Sequence, residues 1–491
     1  MRLVSVLPSP PGGPAPISTK TSFGPAGENC QTGQKILRHA ISADGSHAIW
    51  TYAPTGQPSR LLDRISGTET IQLDTAANPV NSGNGIYWAA STDGSVVYFT
   101  SQNKLTSGSK SAPGEEDLYR YDFNNPTAHL VNLTKNSLLV PGDVKGVVGA
   151  SDDGSAVYFV ADAILSTEVG EKNSAGQEAV VGEPNLYFYR EGKISFVAVL
   201  ADGLDQSVWE SQPKGLTARV SPDGHHVVFL SVEAQKLANY DNTIASGEHC
   251  QYEPIAEKLI GSPLCAQAFV FDADSKQLSC ASCNPGGSRP LGPTLLPGWS
   301  NVYEGPRYLS DDGSRLLFES FDALLPGDES AKRDVYEFER PGAGSCTISN
   351  PNFDSRSGGC HFLISSGRSS DENFLIDASA AGRDALFSTR DPLVGWDTNE
   401  NFDVYDYRVG GGFVEPPARE EPCVGDACNG PEEPTPVLPS PSTPGFTSPG
   451  NVKPTKPKPK HTKNKPGHKK KSTRQHKEKK KQGAKKRSTG G

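Results

Sequence analysis

Along roughly the first four hundred residues, short apolar runs alternate with polar turns, and the alternation repeats. Six segments share one form: Ser42-Ala43-Asp44-Gly45, Ser91-Thr92-Asp93-Gly94, Ser151-Asp152-Asp153-Gly154, Ser221-Pro222-Asp223-Gly224, Ser310-Asp311-Asp312-Gly313 and Ser379-Ala380-Ala381-Gly382. Five carry Asp-Gly and the sixth keeps the glycine. Five residues after each glycine stands an aromatic: Trp50, Phe99, Phe159, Phe229, Phe318 and Phe387. Asp-Gly tolerates the positive φ angles of a tight hairpin turn, so each segment predicts two antiparallel strands. The second strand is almost continuously apolar, as in Val96-Val97-Tyr98-Phe99 and Leu316-Leu317-Phe318. Strict alternation would mean one wet face; these strands read as buried on both faces, as in a sheet sandwiched between two others.

Five units continue with an aromatic pair two residues apart: Tyr119/Tyr121, Tyr187/Tyr189, Phe269/Phe271, Tyr336/Phe338 and Tyr405/Tyr407. The period of two predicts a third strand. A run such as Leu130-Val131-Asn132-Leu133 or Phe196-Val197-Ala198-Val199-Leu200 supplies a fourth. In the first unit the third-strand slot is degenerate, with Arg60-Leu61-Leu62-Asp63. The pattern predicts an all-β chain, a six-bladed β-propeller of four-stranded antiparallel blades. Ser221-Pro222-Asp223-Gly224, Asp117-Leu118-Tyr119, Asp334-Val335-Tyr336 and Asp403-Val404-Tyr405 resemble the TolB-type propeller repeat, a relative of the WD repeats. The resemblance covers about residues 36–415. It implies a fold, leaves function open and transfers no catalytic residue.

Arg2-Leu3-Val4-Ser5-Val6-Leu7 resembles the fourth strand Ser195-Phe196-Val197-Ala198-Val199-Leu200, whereas the last unit ends weakly at Phe413-Val414. Either residues 2–7 complete the sixth blade and lock the circle, or they belong to a blade lost upstream. The spacing from second-strand to third-strand aromatic is 18 in units five and six, 20 in unit two, 28 in unit three and 40 in unit four. These insertions fall in the same loop of the blade, so they rise on one edge of the disk. Insertions of this kind mark either a binding face or merely tolerated loops.

Composition agrees with short strands and many turns: 35% hydrophobic residues, 51 Gly and 40 Pro. The net charge of −9 conceals two opposite parts, since residues 451–491 carry +16 and the remainder −25. The reading is therefore a propeller over 1–417, a Pro/Ser/Thr-rich linker over 418–450 and a disordered Lys-rich tail over 451–491. The tail suits electrostatic attachment to a polyanion, a cell-wall polymer if exported and nucleic acid if not. No aromatic interleaves it, so base stacking and sequence-specific recognition are not expected. No stretch approaches the roughly 20 apolar residues of a membrane span. The opening apolar run is too short for a secretion signal. Either the protein stays inside or the true start lies upstream.

Nine cysteines bear on that choice. Cys250 with Cys265, Cys280 with Cys283, Cys346 with Cys360 and Cys423 with Cys428 form neighbouring pairs, and Cys30 is left over. Local closures point to disulfides and an oxidising compartment. Cys280-Ala281-Ser282-Cys283 also fits half of a zinc site, but a second short pair at structural spacing is missing.

The sequence holds no G-x-S-x-G elbow, no H-E-x-x-H and no phosphate-cradling loop. His225 and His226 read as strand-edge residues rather than ligands. Asp397, Asn399, Asn401 and Asp403 place oxygens at every second residue, like the first part of a calcium loop, yet the closing Glu and the Gly are missing. A turn with side-chain-to-backbone bonds explains the same residues. The expectation is an exported or cell-surface scaffold that is not an enzyme and binds a protein or glycan through the long-loop face. The alternatives are a propeller enzyme acting on a polysaccharide, and an intracellular scaffold with a nucleic-acid-binding tail.

Overall fold

In the computed structural model the described residues are 4, 6–8, 21–23, 38–135, 140–209, 217–246, 249–250, 262–297 and 306–411. The chain divides into a unit over 1–419 and a unit over 420–491. The second lies outside the described residues, and with it nearly all of the expected linker and the tail. The fourth expected disulfide falls there too: Cys423 and Cys428 both lie outside the described residues, so that pairing stays an expectation. Cys30 lies outside them as well.

The first unit is all-β, built from six successive antiparallel sheets with a single short α-helix, Ala234–Ala238, among the described residues. Sheet one comprises Thr21–Phe23, His47–Tyr52, Arg60–Ile65 and Glu69–Gln72. Sheet two comprises Ile86–Ala90, Val96–Ser101, Asp117–Asp122 and Leu130–Asn132, and sheet three Val144–Ala150, Ala156–Ala161, Asn185–Arg190 and Lys193–Val199. Sheet four holds Ala218–Val220, His226–Ser231, Gln267–Asp272 and Gln277–Cys280. These four are simple meanders, as the repeat predicts.

The last two depart from it. In sheet five the inner strand shrinks to one bridge, Leu309 to Leu316. Beyond Arg315–Ser320 and Asp334–Glu339, an outer hairpin adds Gly359–Leu363 and then Phe353–Asp354. Sheet six has three strands, Phe374–Ala378, Asp384–Thr389 and Asp403–Arg408. Residues 2–7, expected to supply its fourth, lie partly outside the described residues. Of those described, Val6 presents its carbonyl to Thr70 Oγ1 at 2.7 Å. Thr70 points from the face of sheet one opposite Ile71, which packs toward sheet two. The contact therefore joins Val6 to sheet one, and the described residues of sheet six end at its third strand.

Each sheet grows from the same turn. In Ser91-Thr92-Asp93-Gly94 the serine hydroxyl donates to Asp93 at 2.6 Å and accepts from the Val96 backbone at 2.9 Å. Asp93 in turn accepts from the Ser95 backbone at 2.9 Å. The same set recurs around Asp44, Asp153, Asp223 and Asp312. At the alanine-bearing sixth turn, Ser379 Oγ takes the backbone N–H groups of Arg383 and Asp384 instead.

The turns also join sheet to sheet. Ala43 donates its N–H to Thr92 O, Thr92 to Asp152 O, Asp152 to Pro222 O and Asp311 to Ala380 O, at 2.7–2.8 Å. The series breaks at Pro222, which has no N–H to give. Arginines at the inner side bring separate sheets together: Arg38, ahead of the first Asp-Gly turn, donates to Val147 O of sheet three and lies near Arg219, Tyr87 and Tyr308, while Arg219 of sheet four donates to Pro306 O, ahead of sheet five. This is the propeller-type arrangement.

Aromatic pairs fill the blades. Phe99 stacks on Tyr119, Phe229 on Phe269 and Phe318 on Tyr336 with ring centroids 5.6–5.8 Å apart, each pair in register across adjacent strands. Side chains four residues after the turn glycine face the next sheet. Ile49, Tyr98, Tyr158, Val228 and Leu317 are at most 1% exposed, whereas Leu386 of sheet six is 40% exposed. Among the described residues nothing buries Leu386 on the far face of sheet six.

A turn glycine lies against the preceding sheet. A Cβ on Gly154 (φ +68°) would fall 2.6 Å from Val96 Cβ, while Gly45 in the equivalent turn of sheet one (φ +70°) has nothing within 4 Å. Gly154→Ala is therefore expected to destabilise by about 2–3 kcal/mol, through backbone strain and steric conflict together. Gly45→Ala, with strain alone, should cost about 1 kcal/mol. Urea midpoints of the two variants check this, and equal losses would refute the sheet-to-sheet contact.

Candidate functional site

The second-to-third-strand loops all leave one edge of the sheets, and a repeated clamp fixes their bases. The hydroxyl of the third-strand tyrosine donates to a carbonyl early in the loop: Tyr119 to Asn103 at 3.0 Å and Tyr187 to Ala163 at 2.8 Å. It also accepts the N–H two residues further on, from Leu105 and Leu165. Tyr336 repeats both contacts with Asp322 and Leu324. Sheet four has Phe269 in this slot and the longest loop. There Asn242 Nδ2 donates to Val232 O and Cys265 O, and the Cys250–Cys265 disulfide closes the excursion. Asp205 anchors the same loop from below, taking Ser231 Oγ and the backbone of Val232 and Ala201, and burial pushes its carboxyl up to about 6.

The loop edge carries exposed apolar side chains, among them Val80, Ile164, Val169, Val181, Trp396 and Phe402. They come from the connection between sheets one and two, the sheet-three loop and the sheet-six loop. The calcium-loop residues sit on this edge too. Asp397 accepts from the Asn399 backbone at 3.3 Å and from the Tyr405 hydroxyl, and Asn399 accepts from the Asn401 backbone at 2.8 Å. Asp397 and Asn399 thus make the successive side-chain turns of the alternative reading, while Asp403 Oδ2 is buried with no hydrogen-bond partner. No cluster of three or more metal-ligating His, Cys, Asp or Glu side chains occurs among the described residues.

The cysteine pairs behave as predicted where they are described. Cys250–Cys265, Cys280–Cys283 and Cys346–Cys360 are disulfides with Cα separations of 5.2, 5.5 and 5.6 Å. The zinc alternative for Cys280 and Cys283 is therefore set aside. The expected bond between Cys423 and Cys428 is not among these three, because both residues lie outside the described part of the chain. Of the adjacent histidines, His225 pairs with Asp274 at 2.5 Å, and His226 lies 3.7 Å from Asp272 and contacts Arg340. Burial pushes the His226 imidazole pKa down, helped by Arg340.

Sequence reasoning missed the opposite edge, where the Asp-Gly turns lie. A cavity of about 440 Å³ opens there between sheets five and six. Its floor is a buried trio: Arg315 Nη1 lies 2.6 Å from both Glu337 Oε1 and Glu339 Oε1. Arg315 and Glu339 are paired in register on adjacent strands, and Glu337 lies two residues from Glu339 on the same face. Phe362, Arg383 and Tyr407 form the walls, with the backbone of Gly344 and Ser345 above. Burial pushes Glu337 up to about 7, against the pull of Arg315 and with help from the Glu339 charge. Burial raises Glu339 too, and it raises the Tyr407 phenol beside both carboxyls. Glu337 is a charge inside a third strand, where sheets three and four carry Phe188 and Val270, but Arg120 and Asp406 are charged at the same position in sheets two and six, so the signal did not single it out. The propeller axis is lined differently: Arg38 lies there near Arg219, Tyr87 and Tyr308, and burial lowers its pKa to about 10.

Among solved structures, the chain is similar to tricorn protease (11% identity, 79% of this chain and 29% of that one, TM-score 0.37). It is also similar to TolB from Acinetobacter baumannii (10%, 75% and 67%, TM-score 0.23). A third is oligogalacturonate lyase from Vibrio parahaemolyticus (12%, 77% and 75%, TM-score 0.30). The chain thus spans under a third of the length of tricorn protease. No family profile matches the sequence, and no curated protein matches it. One expectation is corrected: structures similar to this chain include a protease and a lyase, so the architecture is shared with enzymes and the reading "not an enzyme" does not stand.

The buried acid gives a pH prediction. An unfolded glutamate titrates near pH 4.3 and folded Glu337 near 7, so its protonated form is the one the fold favours. The stabilisation is complete below about pH 4 and is lost as pH rises through 7. Relative to Glu337→Gln, the wild type should lose on the order of 3 kcal/mol between pH 4 and pH 8. A difference in unfolding free energy that stays flat over this range would refute the assignment.

Proposed function

We propose that this chain is a six-bladed propeller working outside the reducing cytosol, with a protein partner docking on its long-loop edge. One observation carries the reading: exposed apolar side chains collect on the edge whose loops are individually clamped, by tyrosine hydroxyls in sheets two, three and five and by a disulfide in sheet four. Clamped loop bases lower the ordering cost of binding, and apolar tips supply the desolvation that drives it. Three disulfides support an oxidising compartment. No helix among the described residues is long and apolar enough to cross a membrane. The basic segment 451–491 would hold the protein to an anionic cell-wall polymer through its +16 charge.

Thiol titration of the native protein, denatured without reductant, tests the compartment. With six cysteines in disulfides, at most three of the nine should react. Nine reactive thiols would refute export. A photo-cross-linking residue at Val169 or Trp396 should capture one discrete protein in the producing cells, whereas the same probe at Ile348, on the turn edge, should not. Equal capture from both edges would overturn the docking surface.

A further inference from the structure

The turn-edge cavity between sheets five and six is separate from the loop edge. We propose that it is a binding site for an uncharged sugar unit of a glycan.

The size is suitable, since small-ligand sites run from about 300 to 1,000 Å³ and this one measures about 440 Å³. The lining chemistry decides the class. Two carboxyl groups, Glu337 and Glu339, face two guanidinium groups, Arg315 and Arg383, so neither sign of charge dominates the lining. A cationic ligand would meet Arg383 at the wall and find both acids already bridged by Arg315. An anionic ligand would meet the two glutamates. A polyhydroxyl ligand avoids both conflicts, because each hydroxyl both donates and accepts.

The pocket offers both functions. Glu339 Oε2 is buried and takes no hydrogen bond, while the residue as a whole is only 2% exposed. The N–H groups of Ser345 and Cys346 and the neighbouring Glu337 carboxyl act on this carboxyl and partly offset the effect of its burial. The trio therefore closes the floor, and the groups a ligand can reach are those of the walls and rim. At the wall and rim, Arg383 supplies donors, and the hydroxyls of Ser345 and Tyr407 both donate and accept. Half-buried Phe362 and Tyr407 supply apolar ring faces on which the C–H surface of a pyranose can lie.

The wall is pre-shaped. Gly344, at φ +48°, brings bare backbone against Glu339 and Arg315, where a side chain would overlap both groups. The Cys346–Cys360 disulfide fixes the loop that carries it, and Phe362 follows two residues after Cys360.

The test uses the full chain and a panel of neutral trisaccharides (cellotriose, maltotriose, xylotriose and mannotriose), with spermidine and trigalacturonate as charged comparators, read by saturation-transfer NMR and calorimetry. At least one neutral sugar should bind, and Tyr407→Ala should weaken it by about tenfold, the effect of losing one ring contact. Arg383→Ala, at an exposed position less prone to misfold, should weaken it by at least threefold. Val169→Glu on the opposite edge should leave it unchanged. The proposal is overturned if no neutral sugar binds at 10 mM, if spermidine or trigalacturonate binds in preference, or if binding survives both Tyr407→Ala and Arg383→Ala. A protein captured at Val169 bears on the loop edge alone, so the two proposals fail separately.

Discussion

The fold depends on the contact that the turns, from the second onward, make with the sheet before them. Within the turn, the aspartate takes the serine hydroxyl and a backbone N–H, which holds the glycine at positive φ. The glycine, lacking a Cβ, then lies on the first residue of the neighbouring second strand: Gly94 on His47, Gly154 on Val96, Gly224 on Ala156 and Gly382 on Arg315. In the first three turns and the fifth, the residue after the serine donates its N–H to the next turn. Local geometry and sheet-to-sheet packing are thus one interaction. A repeat built on four residues sets the pitch of the whole array.

That pitch leaves each blade two tasks, filling its interfaces and holding its loop. Stacked aromatics do the first, and the tyrosine hydroxyl at the far end of the third strand does the second. Sheet four shows that the tasks separate. Phe269 keeps the stack with Phe229 at 5.7 Å, but without a hydroxyl the longest loop is held by Asn242 and a disulfide. Covalent closure replaces a hydrogen bond where the loop is too long for one bond to order it.

The junction of sheets five and six uses different chemistry from its neighbours. Between sheets three and four the facing residues are Ala156, Tyr158, Leu186 and Phe188 with Val227 and Phe229, an apolar core. At the later junction Arg315, Glu319, Glu337 and Glu339 point across, with Arg333 pairing Glu319 at 3.2 Å. Buried ion pairs of this kind stabilise weakly, because desolvation offsets much of the attraction. Their cost is easier to understand where the same groups line a cavity than where they only fill space.

The sequence alone determined the repeat: the turn, the aromatic five residues on, the aromatic pair and the number of sheets. Each of these is a local preference of backbone or strand, written within about thirty contiguous residues. It also indicated three of the disulfides, because loop closures between near neighbours depend little on the rest of the fold. Only the tertiary structure decided what lies between sheets. The seat of Gly154 on Val96, the convergence of Arg38 and Arg219, the contact of Val6 with Thr70 and the cleft joining Glu337 to Tyr407 all link residues distant along the chain or in separate repeats. A charge in a strand reads the same whether it meets water, a counter-ion or a cavity. Which of these it meets is set by the neighbouring blade, and no local pattern encodes that.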